Sequence, residues 1–184
     1  YPMASTTKIM TCLLAVETCS PEEIVTAGPN AEGVPGTSIY LTEGEQLTMR
    51  DMLYGLMLRS GNDAAAAVAG YCGGTQEQFV AMMNQRAQSL GMEGTHYANA
   101  HGLHDAMHYT TAQDLATLTA EALKNDSFRQ IVSTLSYEMP ATEERGPLWL
   151  SCSYDVMNPN SDLYYEGCIG VKSGFTSNAG QSFV

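Results

Sequence analysis

The chain has 184 residues, 20 acidic and 8 basic, for a formal charge of −12. That length suits one domain with a buried core, and 44% hydrophobic with 15% charged residues excludes a disordered acidic tail. The charge disfavours nucleic acid, whose phosphates are met by Lys and Arg, and no apolar run reaches the roughly 18–20 residues of a membrane span.

In chain order, residues 5–17 (STTKIMTCLLAVE) are apolar at 9, 10, 12, 13, 14 and 16. Those positions cover nearly the whole circumference of a helix, which predicts a buried one. The stretch 37–48 (TSIYLTEGEQLT) has room for two small strands around Glu43-Gly44. Thr48 with Asp51 three places on marks the start of a helix over 49–59. Asp63 is placed to cap a helix of small residues over 64–71, and Thr75 and Gln78 open the next. That next helix turns Phe79, Met82, Met83, Ala87 and Leu90 inward and ends at Gly91. Thr111 and Asp114 cap a helix to Lys124 with Leu115, Leu118, Ala122 and Leu123 inward and Asn125 as its stop. From about residue 135 the runs LSYEM, LWLSCSY, LYYEGCIGVKSG and QSFV are aromatic and β-branched between Pro, Gly and Asn, and read as strands or extended loops. Helices followed by strands predict an α+β or mixed-layer fold rather than a run of βαβ units. The five cysteines (12, 19, 72, 152, 168) form no CxxC pair and read as small buried apolar residues. Cys12 and Cys19 sit two turns apart on one helix, too far to bridge.

Three short signatures carry chemistry. Ser5 and Lys8 are three apart at the start of the buried helix and share a face. A serine hydroxyl needs a neighbour to take its proton. Burial and the positive end of the helix dipole both lower a lysine pKa toward the neutral form that can do so. The same helix start aims backbone N–H groups at an oxyanion near Ser5. Ser60-Gly61-Asn62 falls in a break between helices, where a glycine turn can point a hydroxyl and an amide the same way. Lys172-Ser173-Gly174 lies in a predicted strand, a cation and a hydroxyl suited to a carboxylate, with a glycine that lets a substrate backbone approach. Taken singly, each has an ordinary structural explanation: a capping serine with a solvated lysine, a helix–helix turn, a strand-end lysine. Together they use two of only three lysines, in one order, an accident of about one in a thousand by composition.

An SxxK, a Ser-x-Asn triplet and a KTG-like triplet form a known set. The chain resembles the low-molecular-mass penicillin-binding proteins that act as serine-type D-alanyl-D-alanine carboxypeptidases. The likeness is strongest in YPMASTTKIMT (1–11), YLTEGEQLTMRDMLYGLMLRSGNDAAAAVA (40–69), HYANAHGLHDAMHYTTAQDLA (96–116) and GVKSGFTSNAG (170–180). The resemblance implies a β-lactamase/transpeptidase-like α+β fold, a helical cluster on an antiparallel sheet. It implies Ser5 as the acylated nucleophile, Lys8 as its general base and Ser60 as the proton relay to the leaving D-alanine. It implies that Asn62 binds the substrate backbone and that Lys172, Ser173 and Gly174 hold the terminal carboxylate and peptide. Phe175 N–H and Ser5 N–H would form the oxyanion hole. Ser173 stands where the family commonly has Thr, which keeps the hydroxyl and drops a methyl. The implied substrate is the peptidoglycan stem peptide, with β-lactams as covalent inhibitors. No cofactor or metal is required, and the site of action is extracytoplasmic. Any membrane anchor would lie in segments absent from this chain. The family's domain begins with strands ahead of the SxxK helix and continues past the third motif. Residues 1–184 are therefore expected to form a single catalytic domain truncated at both ends, with an incomplete sheet.

Three readings compete. His96, His101, His104 and His108 with Asp105 could suggest zinc, but one loop would have to gather them all, and a structured loop beside the site is the preferred reading. A class A β-lactamase would carry a deacylating glutamate, and Glu121-Ala-Leu-Lys-Asn125 has the wrong spacing for it. A D,D-endopeptidase of the same family, or a β-lactam-sensing protein that acylates without turnover, shares all three motifs.

Overall fold

A computed structural model describes residues 1–184. Its centre is α1 (Lys8–Thr18), which follows a 3₁₀ turn at Ala4–Thr7. Lys8, Ile9, Met10, Thr11, Cys12, Leu13, Leu14 and Ala15 are all buried, as the nearly all-round apolar pattern predicts. The one hydroxyl on this buried stretch, Thr11, donates to the Ala100 carbonyl at 2.7 Å, so no polar group is stranded.

Five helices surround α1. α2 (Met49–Leu58) starts at the capping box expected from Thr48 and Asp51. α3 (Asn62–Gly73) buries Ala64 to Ala69, small residues that let it pack closely against α1 and α2. α4 (Gln76–Ser89) is capped by Thr75 and buries Phe79, Met83 and Ala87. α5 (Ala112–Ala122) is capped by Thr111. α6 (Asp126–Val132) was not anticipated: Asn125, read as a stop, accepts the Phe128 N–H and caps it. It buries Phe128, Ile131 and Val132 against α1 and α2.

The strands are short and pair antiparallel in three separate couples. β1 (Ile24–Thr26) pairs with β2 (Gln46–Thr48), β3 (Ser136–Met139) with β4 (Leu148–Ser151), and β5 (Ser173–Thr176) with β6 (Gly180–Phe183). The α+β class holds. The stretch 37–48 contains one strand, not two, and of the run 163–174 only Ser173 and Gly174 lie in a strand, the residues before them being loop with turns at 163 and 166–167. Tyr165 and Leu163 stand 72% and 65% exposed there, so these side chains mark no buried strand face. No helix is long and apolar enough to cross a membrane.

Two further expectations change. Asp63 does not cap α3, whose N-cap is Gly61. Its buried carboxylate accepts the Ile39, Leu41 and Ala64 N–H groups at 3.1, 3.0 and 2.9 Å and the Ser38 hydroxyl at 2.6 Å, tying the loop ahead of β2 to the first turn of α3. Of the cysteines only Cys12 is fully buried. Cys19 and Cys72, 53 positions apart, face each other with sulfurs 3.0 Å apart.

Polar contacts join the C-terminal third to the rest of the chain. Tyr137 of β3 donates to Asp51 at 2.6 Å and stacks on Tyr54 with centroids 3.8 Å apart. Arg145 pairs with the fully buried Glu45 at 2.6 Å.

Candidate active site

Ser5 lies in the 3₁₀ turn that leads into α1, and Lys8 is the first residue of that helix. One turn apart, the two side chains meet with Lys8 Nζ 3.0 Å from Ser5 Oγ. Nζ has two other neighbours at 2.7 Å, Asn62 Oδ1 and the His101 carbonyl. The orientation of the Asn62 amide follows from its surroundings: Nδ2 donates to the Pro35 carbonyl at 2.6 Å, which can only accept, so Oδ1 faces Lys8. A neutral amine has two N–H groups and one lone pair. Two carbonyl-type acceptors take the N–H groups, and the third neighbour is a hydroxyl that can donate to the lone pair.

The electrostatics favour that neutral state. Burial, then the positive charge of Lys172, hold Lys8 well below the ordinary lysine pKa, with Asp63 opposing. Lys172 itself is 2% exposed and burial lowers it to about 8. Two lysines close enough to repel thus divide the roles, the deeper one more easily neutral.

The serine–glycine–asparagine turn is held from both sides by one residue. Thr37 Oγ1 donates to the Ser60 carbonyl at 2.8 Å, and Asn62 N–H donates to the Thr37 carbonyl at 2.7 Å. Ser60 adopts φ +62°, and Ala4, just before Ser5, adopts φ +48°. Non-glycine residues in this region cost of order 1–3 kcal/mol and persist where the surroundings over-determine them. The Ser60 hydroxyl makes no hydrogen bond to Ser5 or Lys8, so the turn brings this residue to the neighbourhood without a direct contact.

β5 supplies the opposite wall. Lys172 and Val184 exchange both backbone hydrogen bonds, so the antiparallel alternation turns the N–H groups of Ser173 and Phe175 away from β6. Ser173 N–H accordingly donates outward, to Tyr154 Oη at 2.8 Å. Phe175 N–H points to the same edge, the side that packs on the 3₁₀ turn. Gly174 makes that packing possible: a Cβ there would lie 2.9 Å from the Ser5 nitrogen. Lys172 sits one residue before the strand, its Nζ donating to the Ser173 carbonyl at 3.0 Å and leaving two N–H groups for an anion. The Phe175 ring is 65% exposed at the rim.

The cleft beside Ser5 is lined by Gly36, Thr37 and Asn62 on one side and by His101, Gly102 and Leu103 on another, with Phe175 and Thr176 closing it. Thr37, Pro35 and the His101 carbonyl were missed by sequence reasoning, and backbone carbonyls leave no side-chain signature to find. No group of three or more His, Cys, Asp or Glu side chains is arranged to hold a metal ion. Three of the four histidines, His96, His101 and His108, hydrogen-bond within the loop instead. His108 Nδ1 accepts the Ala98 N–H at 2.9 Å, so its neutral ring donates from Nε2 to Thr7 Oγ1 at 2.7 Å. Burial keeps it neutral by lowering its pKa to about 4. Burial lowers His101 to about 4 as well.

The model of family S11, described as D-alanyl-D-alanine carboxypeptidase, matches residues 1–184. The chain is 36% identical over 183 residues to the D-alanyl-D-alanine carboxypeptidase DacF of Bacillus subtilis, covering 96% of this chain and 45% of that protein. It is 36% identical over 142 residues to the D-alanyl-D-alanine carboxypeptidase of Streptomyces sp. strain K15, covering 73% and 48%. Among solved structures, a D-alanyl-D-alanine carboxypeptidase from Mycobacterium tuberculosis superposes with a TM-score of 0.89 at 31% identity, over 98% of this chain and 66% of that one. The Streptomyces K15 DD-transpeptidase gives 0.86 at 29% identity, over 97% and 72%. The chain spans about half the length of the curated relatives it matches.

Proposed function

The chain belongs to the S11 family of D-alanyl-D-alanine carboxypeptidases, and on that basis we propose that it removes the terminal D-alanine of peptidoglycan stem peptides through an acyl-enzyme on Ser5. The observation that carries this reading is the environment of Lys8: a fully buried amine whose two N–H groups have carbonyl partners and whose remaining neighbour is the Ser5 hydroxyl.

In this reading Ser5 Oγ passes its proton to Lys8 Nζ as it attacks the carbonyl carbon of the penultimate D-alanine. The carbonyl oxygen becomes negative and is met by the N–H groups of Ser5 and Phe175. The terminal carboxylate rests on the Lys172 ammonium and the Ser173 hydroxyl. Gly174 lets the peptide lie against the outer edge of β5. The C–N bond then breaks, and the departing amine takes a proton relayed through Ser60 from Lys8. Water hydrolyses the resulting ester and regenerates Ser5. Asn62 has two tasks: Oδ1 holds Lys8, and the second N–H of its Nδ2 is left for a substrate carbonyl. A β-lactam presents a strained amide and a carboxylate to the same groups and acylates Ser5. Peptidoglycan as substrate places the action on the extracytoplasmic side of the cell envelope.

Mass spectrometry of diacetyl-Lys-D-Ala-D-Ala incubated with the protein tests this directly. Release of one D-alanine by the wild type and none by Ser5→Ala is expected. Equal release by Ser5→Ala overturns the assignment. Cleavage of a cross-linked muropeptide in preference to the linear peptide would make it an endopeptidase.

A further inference from the structure

α1 and α3 run side by side in the same direction, and the site is built at their shared N-terminal end. Lys8 opens α1, Asn62 opens α3, and their side chains are hydrogen-bonded at 2.7 Å. The two helices have nearly equal lengths, 11 and 12 residues, so their far ends also coincide. What meets at those far ends is a pair of thiols. Cys19 is the C-cap of α1 and Cys72 lies in the last turn of α3, with Sγ atoms 3.0 Å apart. We propose that Cys19 and Cys72 form a disulfide that staples α1 to α3 opposite the catalytic end.

Three observations support it. The separation exceeds a sulfur–sulfur bond by only about 1 Å, and small side-chain rotations cover that. Both residues are half-buried, so a small oxidant can reach them, whereas Cys12 is sealed in the core. Neither thiol has a catalytic task, and neither lines the cleft beside Ser5. Cys72 is held protonated by burial and by the hydrogen bond its S–H donates to Cys19, which makes it a poor initiating thiolate.

The co-reactant is a low-molecular-mass disulfide, here oxidised glutathione. Cys19 thiolate attacks one sulfur of it and expels a glutathione thiolate, leaving a mixed disulfide on Cys19. Cys72 loses its proton to solvent, attacks the Cys19 sulfur and expels the second glutathione. Two protein thiols are oxidised and one glutathione disulfide is reduced to two thiols. The new bond closes a long loop between positions 19 and 72, which limits the unfolded chain most strongly.

The test uses the purified protein incubated with oxidised glutathione, then unfolded, alkylated with iodoacetamide, digested and mapped by mass spectrometry. A Cys19–Cys72 linked peptide pair is expected, with an intact mass lower than the reduced form by about 2 Da. The thermal midpoint should rise by about 5 °C or more over the dithiothreitol-reduced protein. Cys19→Ser should lose both the link and the rise. Alkylation of both residues, a separate glutathione on each, or a link from either to Cys152 or Cys168 would overturn the proposal. These readouts involve no substrate, so they stand or fall apart from the carboxypeptidase reading.

Discussion

The helical part through Val132 and the C-terminal third treat polar groups in opposite ways. In the first, charge is buried and every buried charge is held: Lys8 by a hydroxyl and two carbonyl-type oxygens, Asp63 by three backbone N–H groups and a hydroxyl. In the second, two slender hairpins leave Trp149, Phe175 and Phe183 more than half exposed, and of the charged groups only Lys172 is fully buried. The difference matches the two jobs of the proposed reaction. Moving a proton between Ser5 and Lys8 needs a dry, rigid pair, which a central helix wrapped by five others provides. Holding a peptide needs an open strand edge, which β5 provides. Changes in the first region should therefore damage chemistry or folding, and changes in the second should damage binding.

The largest effect expected is from Lys8→Arg. Arginine stays charged at any working pH and has no lone pair for the Ser5 proton. Acylation by a fluorescent penicillin should slow by about 10³-fold, within the range general bases contribute. A wild-type acylation rate would mean that the base lies elsewhere. Next is Gly102→Ala, which strikes the packing that presents the His101 carbonyl to Lys8. Gly102 has φ +92°, and a Cβ on it would lie 1.9 Å from the Ala4 carbonyl oxygen. Backbone strain and the forced separation of two packed backbones should together cost about 2–4 kcal/mol. Chemical denaturation would measure that loss, and an unchanged midpoint would show the loop to be free of the 3₁₀ turn.

The same division governs what could be read from the sequence. α1, α2, α4 and α5 were legible because periodic apolar residues and Thr caps act locally, and Ser5 with Lys8 was legible because a helix brings positions three apart together. α6 was not: at seven residues it shows barely two turns of pattern, and Asn125 serves equally as a stop and as an N-cap. Residues 163–172 are loop rather than strand because β-propensity reflects burial against neighbours, and Tyr165 is largely exposed. The contacts that define Lys8 were hidden for another reason. Pro35 and His101 act through carbonyl oxygens, which any residue possesses, and only the chain path puts them there. The Cys19–Cys72 pair was likewise out of reach, since parity and spacing within one helix say nothing about a partner 53 positions away.

Binding is where the C-terminal third should show itself. Lys172→Gln removes the ammonium offered to the terminal carboxylate, and charge-assisted hydrogen bonds contribute about 1.5–3 kcal/mol. KM for diacetyl-Lys-D-Ala-D-Ala should rise about 10- to 100-fold, with a much smaller change in kcat. A fall confined to kcat would move Lys172 into the chemistry. The pH profile sharpens the distinction. Lys8 acts neutral, so activity falls as pH drops and Lys8 takes up a proton. Lys172 acts charged and burial sets it at about 8, so kcat/KM falls as pH rises through about 8. A bound carboxylate favours the ammonium, so the alkaline limb of kcat should lie higher than that of kcat/KM. In Lys172→Gln the alkaline limb near 8 should vanish, and the acid limb should move to higher pH because the charge that helps lower Lys8 is gone.

The smallest effect expected sits on the seam between the regions. Tyr137 reaches from β3 to Asp51, the residue that also closes the capping box of α2. Tyr137→Phe keeps the ring stacked on Tyr54 and removes only the hydroxyl. Asp51 retains the backbone and side-chain donors of Thr48, so its carboxylate is not stranded. The loss should then be near 1 kcal/mol, the ordinary worth of a hydrogen bond whose acceptor keeps other partners. Denaturant unfolding should show that loss while penicillin acylation proceeds at the wild-type rate, because α2 contributes no residue to the Ser5 cleft. A loss of several kcal/mol would mean that the hairpin and the helices fold as one tightly coupled unit. A slowed acylation with unchanged stability would mean instead that β3 steers the site, and the separation of chemistry from binding would have to be redrawn.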